Sequence, residues 1–221
     1  MTVTALVSAY LAEKYINRRI ENLLRQKPLP EIVVVCQEGS IEHKASIEYP
    51  VIVITTPDIP TLGKAWNLAI KKASGDLVTV ANTDDIVYPG GYAYMEKIFR
   101  DERVGLVFPR IDVDDLRTVT SWNRYREDEG LVEDAYALMK ARNIIGPMPM
   151  WRRSLHEVHG YMNEDFLGIT DYDWTLRLAK AGVGFYYVNE PQGCYTRRAD
   201  SLEHRLGDTL RAERLKVRPR K

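Results

Sequence analysis

The sequence predicts a single α/β domain with a mostly parallel central sheet flanked by helices. Three observations carry that expectation. Short β-branched runs alternate with helical patterns through the first half of the chain, as crossover units require. Residues 31–36 (EIVVVC) form an almost unbroken apolar run, expected of a strand buried on both faces of a parallel sheet. The 221 residues suffice for one domain with a sizeable core, and no repeat, low-complexity segment or boundary divides them.

Residues 3–8 are the first expected strand. A helix follows over about 14–26, where Ile16, Ile20, Leu23 and Leu24 recur at helical spacing and Pro28 and Pro30 end the pattern. The next strands are 31–36 and 51–55. Residues 62–73 place Leu62, Ala65, Trp66, Ala69, Ile70 and Ala73 on one helical stripe. A fourth strand at 77–81 (LVTVA), a helix over 92–99 and a fifth strand at 104–109 follow. Residues 112–142 are more polar, with a helical pattern only late, and are expected to be a mobile insertion. Two further helices and a strand near 184–188 complete the chain.

Lys+Arg 31 is balanced by Asp+Glu 31, which argues against a protein that coats nucleic acid, since such domains carry a basic excess. The exception is the Arg- and Lys-rich end, 211–221. It reads as a solvated terminus or as a segment weakly attracted to an anionic membrane surface. Cys36 and Cys194 form no C-x-x-C pair, and Cys36 is expected to be a small buried hydrophobe. No apolar stretch approaches the roughly 18 to 20 residues that span a bilayer. The opening MTVTALVSAYL lacks the charged start of a secretory signal, so a cytoplasmic chain is expected.

Open α/β sheets bind ligands at the carboxyl ends of their strands. Those positions hold Ser8, Ala9 and Tyr10 after the first strand, Gln37, Glu38, Gly39 and Ser40 after the second, and Asn82, Thr83, Asp84 and Asp85 after the fourth. An Asp-Asp pair before Pro89-Gly90-Gly91 can be an ordinary turn. Its place after a buried strand favours a hard-cation site, because carboxylates bind Mg2+ or Mn2+ and leave positions for water and phosphate oxygens. In Thr170-Asp171-Tyr172-Asp173 the local reading is a Thr170 N-cap with acids complementing the helix dipole. Asp171 extends the stripe of Trp174, Leu178 and Ala181, whereas Asp173 lies roughly 200° around the helix from it. The two cannot share one role.

These segments together, VSAY at 7–10, EIVVVCQEGS at 31–40, LGKAWNLAIKKASGDLVTVANTDD at 62–85 and ITDYDWTLRLAKAG at 169–182, resemble glycosyltransferase family 2 in order and approximate spacing. The resemblance covers about residues 3 to 205. It implies a GT-A (Rossmann-like) fold, a nucleotide-binding half at about 1–110, an acceptor-side half at about 111–205 and a basic C-terminal tail at 206–221. It also implies inverting transfer of a sugar from a nucleotide-diphosphate donor, UDP-sugar favoured, to a saccharide, lipid-linked or other hydroxyl acceptor, assisted by Mn2+ or Mg2+.

By the same resemblance, Ser8, Ala9 and Tyr10 flank the base, and Glu38 stands where the family usually has an aspartate that bonds it. Asn82 replaces the first acid of the common D-x-D-D form and is expected, with Asp84, among the nucleotide-binding residues. That leaves Asp84 for ribose or metal and Asp85 for metal, Asp85 being the preferred ligand. Asp171 takes the catalytic-base position, with Thr170 in place of the family's Glu. Trp151 and Asp173 are expected on the acceptor side, although Trp151 reads equally as core. Arg197 and Arg198 are candidates to clamp the diphosphate, and His204 is a candidate third metal ligand. His156 and His159 are expected to be structural.

Two rival classes remain at this point. A sugar-phosphate nucleotidyltransferase would open with a Gly- and Arg-rich phosphate loop, which Ser8-Ala9-Tyr10-Leu11-Ala12 is not. A noncatalytic nucleotide- or carbohydrate-binding relative is kept open by Gln37, Asn82 and Thr170.

Overall fold

A computed structural model of the chain describes residues 1–114, 119–122, 125, 128–198 and 205–217. At its centre β1 (Val3–Ala9) pairs in parallel with β2 (Glu31–Gln37) on one side and β4 (Leu77–Val80) on the other, and β3 (Ile52–Thr56) extends the sheet beyond β2. Strand side chains alternate between faces. Leu6, Val33 and Val35 enter one buried layer, and Val7, Ile32, Val34 and Cys36 the other. With both faces covered, EIVVVC has no use for a polar alternate. Burial also pushes the Cys36 thiol up to about 11, with the Glu42 charge adding to the effect.

The full order is β3-β2-β1-β4-β9-β6-β10-β5, where β5 is Ile86–Val87, β6 Val104–Asp114, β9 Met150–Arg152 and β10 Gly184–Thr196. The long pairings are parallel, β6 with β10 included. The short β9 runs antiparallel to both β4 and β6 and joins the two halves of the sheet. Residues 112–142 are more regular than expected. Their described parts extend β6, add β7 (Val119–Trp122) and β8 (Gly130–Leu131) to the sheet, and form α5 (Ala135–Ala141).

Helices cover both faces. α1 (Ile16–Leu24) and α4 (Gly91–Ile98) bury Ile16, Ile20, Leu23, Tyr92 and Met95 against one layer. α3 (Leu62–Lys72), α5 and α7 (Thr170–Lys180) bury Ala65, Trp66, Met139, Trp174 and Leu178 against the other. The short α2 (Ile41–Ser46) follows β2, and α6 (Leu155–His159) follows β9. Asn67 of α3 stitches the N-terminal half to the chain before α7. Its amide donates to the Met162 carbonyl and the Glu164 carboxylate at 2.9 Å and accepts from Met162 N–H at 3.0 Å. Gly63 allows that approach, since a Cβ there would lie 2.7 Å from the Asn163 carbonyl oxygen.

His156 knits α6, α7 and β9 together. Its ring stacks on Trp174 at 4.4 Å and on Tyr161 at 5.3 Å, and Trp151 Nε1–H donates to its Nε2 at 2.9 Å. The indole can only donate, so Nε2 must accept and Nδ1 carries the proton, which it gives to the Gly160 carbonyl at 3.1 Å. Trp151 is 1% exposed and belongs to this core. This corrects its expected place on the acceptor wall: β9 is an interior strand, and its Trp has no free face for a sugar.

Residues 207–217 are not a loose end. Gly207–Val217 form α8. Leu206, Leu210, Glu213 and Val217 recur as one stripe, and the three apolar members pack on the core. The buried Glu213 carboxylate accepts from Leu167 N–H at 2.8 Å and Gly168 N–H at 3.2 Å, so α8 is bolted to the segment that leads into α7. A Cβ at Gly168 would press on the end of the Leu210 side chain, which would have to shift to admit it. The many charges of this helix hid a stripe of only three apolar residues. No helix among the described residues is long and apolar enough to cross a membrane.

Candidate active site

The chain leaves β1 for β2 on one side and returns from β3 to β4 on the other, so the strand order reverses between β1 and β4. Open α/β sheets take their ligands at such a switch point. There Ser8 and Tyr10, Asn82 and Asp84, and Asp171 at the start of α7 line one cleft of about 920 Å3, a volume suited to a nucleotide-sized ligand.

The turn after β1 is held in an unusual shape. Leu11 has φ 49°, a left-handed value uncommon for a residue with a Cβ. The next N–H, that of Ala12, donates to the buried Glu42 carboxylate at 2.7 Å, which fixes the turn and leaves Tyr10 exposed at the cleft edge. Ser8 lines the cleft too, whereas Ala9 is buried beneath it. Glu38 is exposed at the end of β2, where its N–H donates to the Thr56 carbonyl at 2.9 Å, and it is not among the cleft-lining residues.

The turn after β4 separates the two aspartates. Asp84 faces the cleft and pairs with Arg198 Nε at 3.0 Å; that guanidinium also lies over the Tyr15 ring, 4.6 Å from its centroid. Asp85 lies underneath, 1% exposed, accepting from Asn82 Nδ2 at 2.9 Å and Thr196 N–H at 3.2 Å. Burial, reinforced by the neighbouring Asp84 charge, pushes the Asp85 carboxyl up to about 7 against the lowering effects of Asn82, Arg19 and Thr196. Arg19, fully buried in α1, donates to the Asp85 main-chain carbonyl at 3.1 Å, and Thr196 Oγ1 donates to that of Asp84 at 2.7 Å. Of the two aspartates, Asp84 is therefore the one that lines the cleft. Asp85, the residue preferred from sequence as the metal ligand, is a pin holding the turn, and Asn82 supplies that pin with its hydrogen bond.

α7 brings Asp171 to the cleft but not Asp173. Thr170 is not the N-cap: that place is Ile169, and the buried Thr170 hydroxyl donates to the Asn163 carbonyl at 2.8 Å. Asp173 pairs with Arg177 at 3.2 Å, and Arg177 in turn donates to the His159 and Tyr161 carbonyls at 2.7 Å each. This corrects its acceptor-side expectation. At roughly 200° from Asp171 it anchors the 159–161 turn and does not line the cleft. Of the two expected phosphate clamps, Arg198 lines the cleft; the Arg197 side chain is exposed and does not. His204 lies outside the described residues.

Sequence reasoning missed Arg142 and Asn143 at the end of α5, and Arg205 and Arg214 before and within α8, all of which line the cleft. The Leu206, Leu210, Val217 stripe was the available signal for α8. Nothing in the sequence near Arg142 marks it.

Mg2+ is commonly held by one or two carboxylates plus substrate phosphates. Among the described residues no group of three or more His, Cys, Asp or Glu side chains is placed to cage a cation. Asp84 and Asp171 are the described carboxylates that line the cleft, and Asp84, on the β4 turn, is the one that could share a cation with substrate phosphates.

The reversed strand order with a switch-point cleft, a carboxylate on the strand side and another at a helix mouth, is that of a GT-A architecture. The chain belongs to glycosyl transferase family 2, whose description matches residues 4–160, and it is a glycosyltransferase. It is 26% identical over 187 residues to the uncharacterised glycosyltransferase YwdF of Bacillus subtilis strain 168, covering 81% of this chain and 69% of that one. In fold it is similar to S. aureus TarS 1–349 in complex with UDP-GlcNAc, with TM-score 0.75, 19% identity, and coverage of 91% of this chain and 60% of that. It is likewise similar to the mannosyltransferase PcManGT from Pyrobaculum calidifontis in complex with GDP-Man and Mn2+, with TM-score 0.67, 17% identity, and coverage of 98% and 62%. The chain thus spans about 60% of the length of the TarS 1–349 chain.

Proposed function

We propose that this chain transfers a sugar, with inversion, from a nucleoside-diphosphate donor to a hydroxyl acceptor, with Asp171 as the base. The observation that carries the reading is that Asp84 and Asp171, from the β4 turn and the mouth of α7, line the same cleft. Tyr10 and Ser8 border the nucleotide side. Asp84 faces the ribose or diphosphate, and Arg198 beside it is placed to take phosphate oxygens. A divalent cation, when bound, neutralises charge on the leaving diphosphate. UDP is the first nucleotide to test, since the TarS structures hold UDP and UDP-GlcNAc; GDP is the second, from PcManGT.

An acceptor hydroxyl is a poor nucleophile, and a carboxylate within hydrogen-bond reach accepts its proton as the new bond to the anomeric carbon forms. In-line displacement of the diphosphate then inverts that carbon. Asp171→Asn keeps shape and polarity while losing the base. Donor affinity should stay near wild type while transfer and donor hydrolysis fall by about 100-fold or more. Near-normal turnover in the variant removes Asp171 from the role.

A further inference from the structure

We infer that the acceptor taken by this cleft is anionic, a hydroxyl compound carrying a phosphate group, bound by Arg142 and Arg205. The inference rests on the proposed transferase reading and names the acceptor class for it. Every basic side chain lining the cleft among the described residues is an arginine: Arg142, Arg198, Arg205 and Arg214. The acids there are Asp84 and Asp171, and Asp84 is matched by Arg198 at 3.0 Å. A donor diphosphate with its divalent cation carries little residual charge, and Arg198 already stands beside it. Arg142 and Arg205 stand beyond what the donor needs.

Their placement separates them from the donor as well. The nucleotide side is built from the ends of β1 and β4. Arg142 is the C-cap of α5, which is tied to α7 by the Tyr172 hydroxyl donating to the Met139 carbonyl at 2.7 Å. Arg205 stands just before α8, which Leu210 and the Glu213 carboxylate fasten at residues 167–168, directly ahead of Asp171. Two firmly seated helices thus bring guanidinium groups to the side of the cleft where Asp171 must meet the acceptor hydroxyl. Arginine presents a planar fork that matches phosphate oxygens in pairs, and a cleft with an excess of positive side chains concentrates anions.

The test is a calorimetric titration of the UDP- and Mn2+-loaded protein with glycerol 3-phosphate and, separately, with glycerol. It is run on the wild type and on the Arg142→Ala/Arg205→Ala variant, whose exposed side chains can be removed without opening the core. Wild type should bind glycerol 3-phosphate in clear preference to glycerol, and the variant should bind it about tenfold or more weakly with UDP affinity unchanged. Equal binding of the two probes overturns the proposal. So does a matching loss of UDP affinity in the variant, which would assign the arginines to the donor. If UDP fails to bind the wild type, the donor reading fails on its own. The glycerol 3-phosphate titration of the free protein and the variant then still decides the arginine site.

Discussion

Acidification should loosen this protein through one residue, His156. The ring is buried between Trp174 and Tyr161, with Nε2 accepting from the Trp151 indole and Nδ1–H donating to Gly160. A second proton would go on Nε2 and turn the indole hydrogen bond into a clash of donors. Burial, the largest cause, aided by the nearby Arg177 and Arg153 charges, lowers its pKa from 6.5 to about 4 despite the Gly160 bond. The folded value lies below the unfolded one, so between them the unfolded chain binds the extra proton. The contribution is therefore complete above about pH 6.5 and is lost as pH falls towards 4. At about 1.4 kcal/mol per unit the loss is about 2 kcal/mol by pH 5 and about 3 kcal/mol by pH 4.

Urea unfolding from pH 7.5 to 4.5, compared between wild type and His156→Gln, isolates this term, because carboxylates that titrate elsewhere cancel in the difference. The wild type should lose about 2 kcal/mol more than the variant between pH 7 and 5. Identical profiles, or a His156 ring that titrates near 6.5 by NMR, would refute the reasoning. Trp174 belongs to α7, whose second residue is Asp171, so the same acidification should weaken the seat of the proposed base.

Two further substitutions test how the halves are joined. Gly63→Ala puts a Cβ 2.7 Å from the Asn163 carbonyl oxygen and 2.9 Å from Thr170 Oγ1; it should cost about 1–3 kcal/mol in denaturant unfolding, and a neutral result would mean that α3 and the start of α7 give way easily. Glu213→Gln leaves one acceptor oxygen for the Leu167 and Gly168 N–H groups. It should free α8 locally, seen as faster protease cleavage within 205–217 at an almost unchanged global midpoint.

The nucleotide side was legible because its elements announce themselves locally. EIVVVC, LVTVA and the Leu62, Ala65, Trp66, Ala69, Ile70 stripe each carry their own period, and helix and strand positions follow within a residue or two. The distal half depends on non-local pairing. β9 is three residues long and exists only because β4 and β6 flank it. β10 runs through Asn189, Pro191 and Gly193, which read as breakers, because register shifts on either side of Pro191 absorb them. At the site, Asp84 and Asp85 are equivalent as letters. Which one faces the cleft was decided by the Arg19, Asn82 and Thr196 contacts that hold Asp85 down, and two of those partners, Arg19 and Thr196, come from distant parts of the chain. Trp151 and Asp173 are held by closer partners: the indole donates to His156 five residues on, and Asp173 pairs with Arg177 one turn on.

The central claim is that this cleft holds a nucleoside diphosphate with its cation against Asp84. Thermal unfolding with UDP and GDP, each with and without Mn2+, on wild type and Asp84→Ala, tests it most directly. Ligand at 100 times its Kd adds about 2.7 kcal/mol, or about 5–10 °C in Tm for a chain of this size. The account predicts such a shift for one of the two nucleotides, larger with Mn2+ and largely lost in Asp84→Ala. No stabilisation of the wild type by either nucleotide, or a shift unaltered by both Mn2+ and the substitution, would contradict it.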